Sequence, residues 1–237
     1  MPVADRLQDL ALRFSLPPGA PERLARLLGL VAQEPQALTT VRDPAHAVEV
    51  HVADSLAALD VEAVRCASRI ADLGSGGGYP GLVLAIALPR TRVVLVESVG
   101  RKAAFLERAA ADLGLEAVEV VPRRAEDWPA GLASADVVTA RAVAPLGVLV
   151  EYAAPLLATG GTLVAWKGRP EAGEIADAEA AAARLGMGAP VAHEVPPDLV
   201  RGAAHRRLYL SSRLGDLPPG YPRRPGMARK RPIRAST

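Results

Sequence analysis

Leu24, Leu27, Leu28 and Val31 recur at i, i+3, i+4 and i+7. The residues after the "PPGAP" breaker at Pro17 are therefore expected to form an amphipathic helix with one apolar stripe. A second helical stretch is expected from about Pro44 to Asp60. Past Arg69 the texture changes. Short β-branched runs, "RIADL", "RVVLV", "AVEVV", "ADVVTA" and "GTLVAW", alternate with longer Ala- and Leu-rich runs. The longer runs are "GLVLAIAL", "RKAAFLERAAADLG", "PLGVLVEYAAPLLA" and "EAGEIADAEAAAARLG". Apolar strands separated by helix-length segments imply βαβ units and a mostly parallel sheet covered on both faces. Two further strand-like pieces, "VAHEV" and "RRLYLS", precede a proline-rich exit. The expected organisation is a helical N-terminal extension over 1–66, one α/β core over 67–214 and a basic tail over 215–237.

Composition narrows the class. The 237 residues are half hydrophobic, the balance of a globular protein. The longest apolar run, Gly81 to Pro89, is far short of the roughly 18 residues a membrane helix needs. The opening "MPVADRLQDLALRF" mixes acids and bases and has no signal-peptide pattern. A single cysteine, Cys66, rules out an internal disulfide and a thiolate metal cluster, and it is expected to be a small buried hydrophobe. These features place the chain in the cytoplasm, with no metal site. The net charge of +2 hides an asymmetry: the segment from Tyr221 holds six Arg or Lys and no acid, on an otherwise mildly acidic body. An unpaired basic tail of this kind suggests a polyanionic partner.

The candidate chemistry centres on "ADLGSGGGYPG", which links the first strand to the first core helix. A triphosphate loop would end in Gly-Lys-Ser/Thr, and this one has no lysine. A dinucleotide fingerprint starting at Gly74 puts Tyr79 where its third glycine belongs. Starting at Gly76, the fingerprint is complete but sits two residues from the strand, with a proline before its last glycine. Gly74, Gly76 and Gly78 directly after the strand fit an S-adenosyl-L-methionine site better. Bare backbone there admits the ligand's amino-acid end, the following helix N-terminus favours its carboxylate, and Asp72 is placed to meet its ammonium. Glu97 closes the second strand, where an acid accepts from ribose hydroxyls. NAD and a purely structural turn remain the alternatives. Ligands in open α/β sheets lie at the carboxyl ends of the strands, which places Ala125 and Glu126 beside an adenine and Arg141 beside the methyl group. His51 and Asp54, at i and i+3, are expected to form a structural pair on one helix face.

With these residues in view, the chain resembles the bacterial small-subunit ribosomal RNA guanine-N7 methyltransferases of type G, the glucose-inhibited division protein B family. The resemblance runs from about Leu38 to Ile233. It rests on "LTTVRDPAHAVEVHVADSL", "DLGSGGGYPG", "ESVGRKAAFL", "RRAED", "VVTARAVAPL", "WKG" and "YPRRPGMARKRPI". It implies a class I AdoMet-dependent methyltransferase fold, Rossmann-like, with a mostly parallel seven-stranded sheet and a helical N-terminal extension. It implies S-adenosyl-L-methionine contact at Gly74, Gly76, Tyr79, Glu97, Ala125, Glu126 and Arg141, and RNA-facing or catalytic roles for Arg124, Arg141, Lys167 and the tail. The implied partner is 16S ribosomal RNA in the small subunit, and the chain is expected to act as a monomer. Two places depart from the family pattern: three consecutive glycines where a proline is expected among them, and Glu97 in place of the commoner Asp.

Guanine N7 carries a lone pair and no proton, so its methylation needs placement and no general base. The chain correspondingly lacks an Asn-Pro-Pro-Tyr motif and a cysteine nucleophile for pyrimidines. In duplex RNA, N7 faces a groove that side chains cannot enter, so the target nucleotide must be unpaired or splayed out. Tyr79 and Trp166 are candidate stacking surfaces, though Trp166 reads more readily as core. A small-molecule methyltransferase on the same fold and a non-catalytic AdoMet-binding ribosome assembly factor are the competing readings.

Overall fold

The computed structural model describes residues 2–35, 37–202 and 205–235. Among these residues seven strands form one sheet in the order β3-β2-β1-β4-β5-β7-β6. The strands are β1 (Arg69–Leu73), β2 (Arg92–Val96), β3 (Val118–Val121), β4 (Ala135–Arg141), β5 (Leu157–Lys167), β6 (Val191–Glu194) and β7 (Arg207–Ser212). All neighbours run parallel except β7, which is antiparallel to both β5 and β6. The chain runs outward from β1 through β2 to β3 and returns to place β4 on the other side of β1. Strand order reverses there, and a crevice opens at the carboxyl ends of β1 and β4.

The two-residue period of the strands sorts the core onto the two faces. Ile70, Val93, Leu95, Val137 and Val164 point one way, into a layer with the N-terminal helices and α6 (Gly81–Ala87). Ala71, Leu73, Val94, Val96, Val138 and Ala140 point the other way, toward α8 (Leu146–Ala153) and α9 (Glu174–Arg184). The N-terminal residues belong to the first layer. Leu7 and Leu10 of α1 (Val3–Arg13) and Leu24, Leu27 and Val31 of α2 (Ala20–Gln33) are all buried. Burying a side chain of that size contributes roughly 1.5–3 kcal/mol. The stripe read from the sequence is thus present in α2, and α1 lies within the extension expected to be helical, in a part where no apolar stripe stands out.

The stretch from Pro44 to Asp60 is helical but unevenly wound. Asp43 caps α3 (Pro44–Ala47) by accepting the His46 amide at 2.6 Å, with Pro44 in the first helical turn. A π-helical turn follows over Val48–Ala53, then α4 (Asp54–Leu56) and a 3₁₀ turn over Ala57–Asp60. Three β-branched valines crowd the wide turn, and the Ser55 hydroxyl donates back to the His51 carbonyl. Both features loosen an α-helix.

Two expectations from sequence fail. Cys66, expected in the core, is exposed: it follows α5 (Glu62–Arg65), and the inward positions on either side of it are taken by Val64 and Ala67. The helix expected to run through Ala158 stops at Ala153, and β5 begins at Leu157, with a register shift against β4 between Ala135 and Val137. On the first face, α7 (Gly100–Asp112) follows β2 and buries Phe105, Leu106 and Ala109, while on the second α10 (Met227–Lys230) lies in the C-terminal segment against α8.

Candidate functional site

The loop between β1 and α6 forms the floor of the crevice. Gly76 holds a φ of +55°, a conformation L side chains rarely adopt, and the nearest atom to a Cβ built there is the Gly74 carbonyl oxygen at 3.7 Å. The space around that position is otherwise open. Gly81 is the reverse case, because a Cβ there would sit 2.3 Å from Leu95 Cδ2 and 2.7 Å from Asp72 Oδ2. That glycine lets helix and strand meet. Gly74 continues the sheet ladder by donating to the Val96 carbonyl at 2.8 Å, and its α-carbon lies against the Val143 side chain from beyond β4.

Two carboxylates brace this loop. Glu97, 5% exposed, accepts the Gly76 amide at 3.0 Å and the Val99 amide at 2.8 Å, so the acid that closes β2 grips the glycine turn after β1. Asp72 is fully buried, taking the Thr139 hydroxyl at 2.8 Å and the Gly81 amide at 3.2 Å. Burial raises its carboxyl to about 6, against the pull of those hydrogen bonds. Asp72 is thus sealed from solvent, and it occupies the first amide of α6.

The second wall is built around Arg141 at the end of β4. Its Nη1 donates to the Val50 carbonyl at 2.8 Å and to Asp54 Oδ2 at 3.0 Å, and its Nη2 lies 3.5 Å from His51 Nδ1. The guanidinium sits 5.5 Å from the centroid of the Tyr79 ring. Tyr79 in turn stacks on His51, with centroids 4.5 Å apart and planes 12° apart. Burial, and then the charge of Arg141, push the His51 imidazole down to about 4, so the ring is neutral. Its Nε2 lies 2.8 Å from the Thr39 hydroxyl. Burial pushes the Tyr79 phenol well above its ordinary value. The expected His51–Asp54 pair does not form, and both side chains serve Arg141 instead. Neither aromatic offers a free stacking face: Tyr79 is 7% exposed, and Trp166 is 4% exposed with its indole N–H bound to the Asp54 carbonyl at 2.7 Å.

The remaining predicted residues ring the same end of the sheet. Arg124 is exposed just after β3, next to the 3₁₀ turn Ala125–Asp127. Glu126 accepts the Gly226 amide at 2.9 Å, tying that turn to the C-terminal segment. Lys167, at the end of β5, pairs with Glu174 at 2.5 Å. The basic tail is therefore not an unpaired arm. Arg223 makes a bidentate pair with buried Glu151 at 2.6 and 2.5 Å, Arg229 donates to the Val143 carbonyl, and Arg234 pairs with Asp177 at 2.5 Å. Between α8, α9 and this segment lies a cavity of about 630 Å³, whose lining includes Ala142, Val143, Lys167, Glu171, Arg229 and Arg234. Among the described residues Arg224, Lys230 and Arg231 are exposed and make no ion pair.

Nothing in the sequence marks Val143, Glu151 or Arg206, and it marks Arg223 only as one of the tail's basic residues, not as the partner of a buried acid. Only the His51–Asp54 spacing hinted at the network around Arg141, because the other partners lie many residues away.

The family model described as "rRNA small subunit methyltransferase G" (GidB) matches residues 22–194. The ribosomal RNA small subunit methyltransferase G of Rubrobacter xylanophilus is 45% identical over 198 residues, covering 81% of this chain and 76% of that protein. The protein of the same name from Roseiflexus castenholzii is 43% identical over 206 residues, covering 83% of each. Among solved structures, a predicted O-methyltransferase from Agrobacterium tumefaciens superimposes with a TM-score of 0.51 at 23% identity, over 68% of this chain and 79% of that one. At that identity the likeness is one of fold: the seven-stranded, mostly parallel α/β sheet of class I methyltransferases.

Proposed function

The chain belongs to the rRNA small subunit methyltransferase G family, and on that premise we propose that it transfers a methyl group from S-adenosyl-L-methionine to N7 of a guanine in 16S ribosomal RNA. The observation that carries this reading is the grip of Glu97 on the Gly76 amide, beneath the open face of the glycine turn. A carboxylate there suits a ribose. A lysine-free loop whose following helix amide is already taken by Asp72 suits a ligand without phosphates. The donor supplies an electrophilic methyl group. Gly74, Gly76, Tyr79, Glu97, the Ala125–Glu126 backbone and Arg141 are the residues that hold it.

The chain's own contribution is placement. An unprotonated N7 needs no base, which agrees with a His51 held neutral and bonded on both ring nitrogens. The cations at the strand ends, Arg124, Arg141 and Lys167, orient phosphates or the guanine O6. The cavity beside Val143 and Lys167 gives a splayed nucleotide room next to the crevice. The partner is the small-subunit RNA, engaged by a monomer in the cytoplasm.

Labelled methyl transfer to small subunits from a strain lacking this gene, followed by nucleoside identification, tests the reading. The expected product is 7-methylguanosine in 16S RNA. Label in another nucleoside, or none with the donor bound, sinks it.

A further inference from the structure

We propose that Asp54 is a positioning residue for this reaction: its buried carboxylate fixes the Arg141 guanidinium at the end of β4. The inference rests on the function proposed above. Asp54 is 1% exposed and lies in the N-terminal segment, outside the sheet that carries the crevice. Its Oδ2 takes Arg141 at 3.0 Å, and its Oδ1 lies 3.5 Å from Arg206 Nε with no hydrogen-bond partner. Its backbone carbonyl holds the Trp166 indole at 2.7 Å. One residue is thus tied to the carboxyl ends of β4 and β5 and to Arg206, just before β7, which pairs antiparallel with β5.

The consequence for Arg141 is geometric. A free arginine samples many rotamers, and fixing one in a transfer site costs entropy at the moment of binding. Here Asp54 and Val50 hold one edge of the guanidinium and the Tyr79 ring lies beneath it. Its direction is therefore set before any ligand arrives. Of the two guanidiniums that share the carboxylate, Arg141 has the shorter contact and the smaller exposure.

A purely structural tie would also lower stability when removed, so the test reads turnover and its coupling to Arg141. Methyl transfer to small subunits, donor affinity by calorimetry and thermal melts are measured for Asp54→Asn, Arg141→Ala and the double variant. Asp54→Asn is expected to lower kcat about 30-fold while the donor dissociation constant stays within about threefold. In the Arg141→Ala background the same change is expected to alter kcat by less than about threefold. Asp54→Glu keeps the charge and displaces the carboxylate by one methylene. It is expected to fold, with kcat lowered about tenfold, and decides the matter if Asp54→Asn does not fold. Losses that multiply in the double variant, or a folded Asp54 variant with wild-type kcat, overturn the inference while leaving the function intact. A wild-type chain that methylates no subunit overturns both.

Discussion

His51 lies flat against Tyr79, ring centroids 4.5 Å apart, so a π-helical turn of the N-terminal segment rests on the tyrosine that ends the glycine loop. This contact makes the N-terminal helices part of the crevice wall. It also buries an imidazole beside a guanidinium, with a measurable consequence for stability.

The pH dependence is expected to hold two opposed contributions. His51 is pushed from 6.5 to about 4, so below 6.5 the unfolded chain takes up a proton that the folded chain refuses. Its contribution to stability is lost as pH falls from 6.5 toward 4. Asp72 is raised from 3.8 to about 6, so its contribution is greatest below 3.8 and is lost as pH rises toward 6. The wild type is expected to be nearly level across this window. His51→Gln is expected to lose stability as pH rises from about 4.5 to 6.5, and Asp72→Asn to gain it. Urea midpoints at the two pH values check both slopes, and a His51→Gln midpoint that climbs with pH contradicts the assignment.

The glycines of the loop are expected to separate by role. Gly81→Ala forces a methyl group into Leu95 and Asp72 and is expected to cost about 1–3 kcal/mol in urea unfolding. Gly76→Ala meets only the Gly74 carbonyl oxygen, at an unstrained 3.7 Å, and is expected to cost only the roughly 1–2 kcal/mol of a left-handed residue, while weakening donor binding in calorimetry. Equal donor affinity in the two variants would place the ligand elsewhere.

Removing the acid at the end of β2 is expected to loosen the turn and the ligand together. Glu97→Ala leaves the amides of Gly76 and Val99 without their acceptor, and the donor dissociation constant is expected to rise about tenfold to a hundredfold. An unchanged constant would mean that the ribose lies elsewhere.

The tail is expected to divide into structural and RNA-facing arginines. Arg223→Ala strands buried Glu151 and is expected to cost about 3–5 kcal/mol in a thermal or urea melt. Alanine at Arg224, Lys230 or Arg231 is expected to leave the melt in place and lower the log–log salt slope of RNA binding by about 0.7 to 0.9 for each lost phosphate contact. An unaltered slope in the triple variant argues against the tail as an RNA contact.

The sheet was legible because its signals are local. The β-branched runs at Arg69, Arg92 and Ala135 need no distant partner to announce a buried strand, and a glycine cluster after the first of them marks a turn wherever the chain goes. The same holds for the acid at Glu97, whose place follows from counting along one strand. Helix α1 was less legible because its stripe rests on Leu7 and Leu10 alone among charged neighbours. Cys66 was misplaced because residue type states a preference and only packing decides which side of a four-residue helix turns inward.

By itself, then, the sequence determined the strand and helix succession, the lysine-free glycine turn and the acid that faces it, all set by neighbours within a few residues. Only the tertiary structure decided what the charged groups do. It brought Arg141 to Asp54, Arg223 to Glu151 and Glu126 to Gly226, across 87, 72 and 100 residues of chain. A charge in sequence has no fixed partner. Burial removes the water that would otherwise satisfy it, and the fold alone sets which opposite group is near enough to take that water's place.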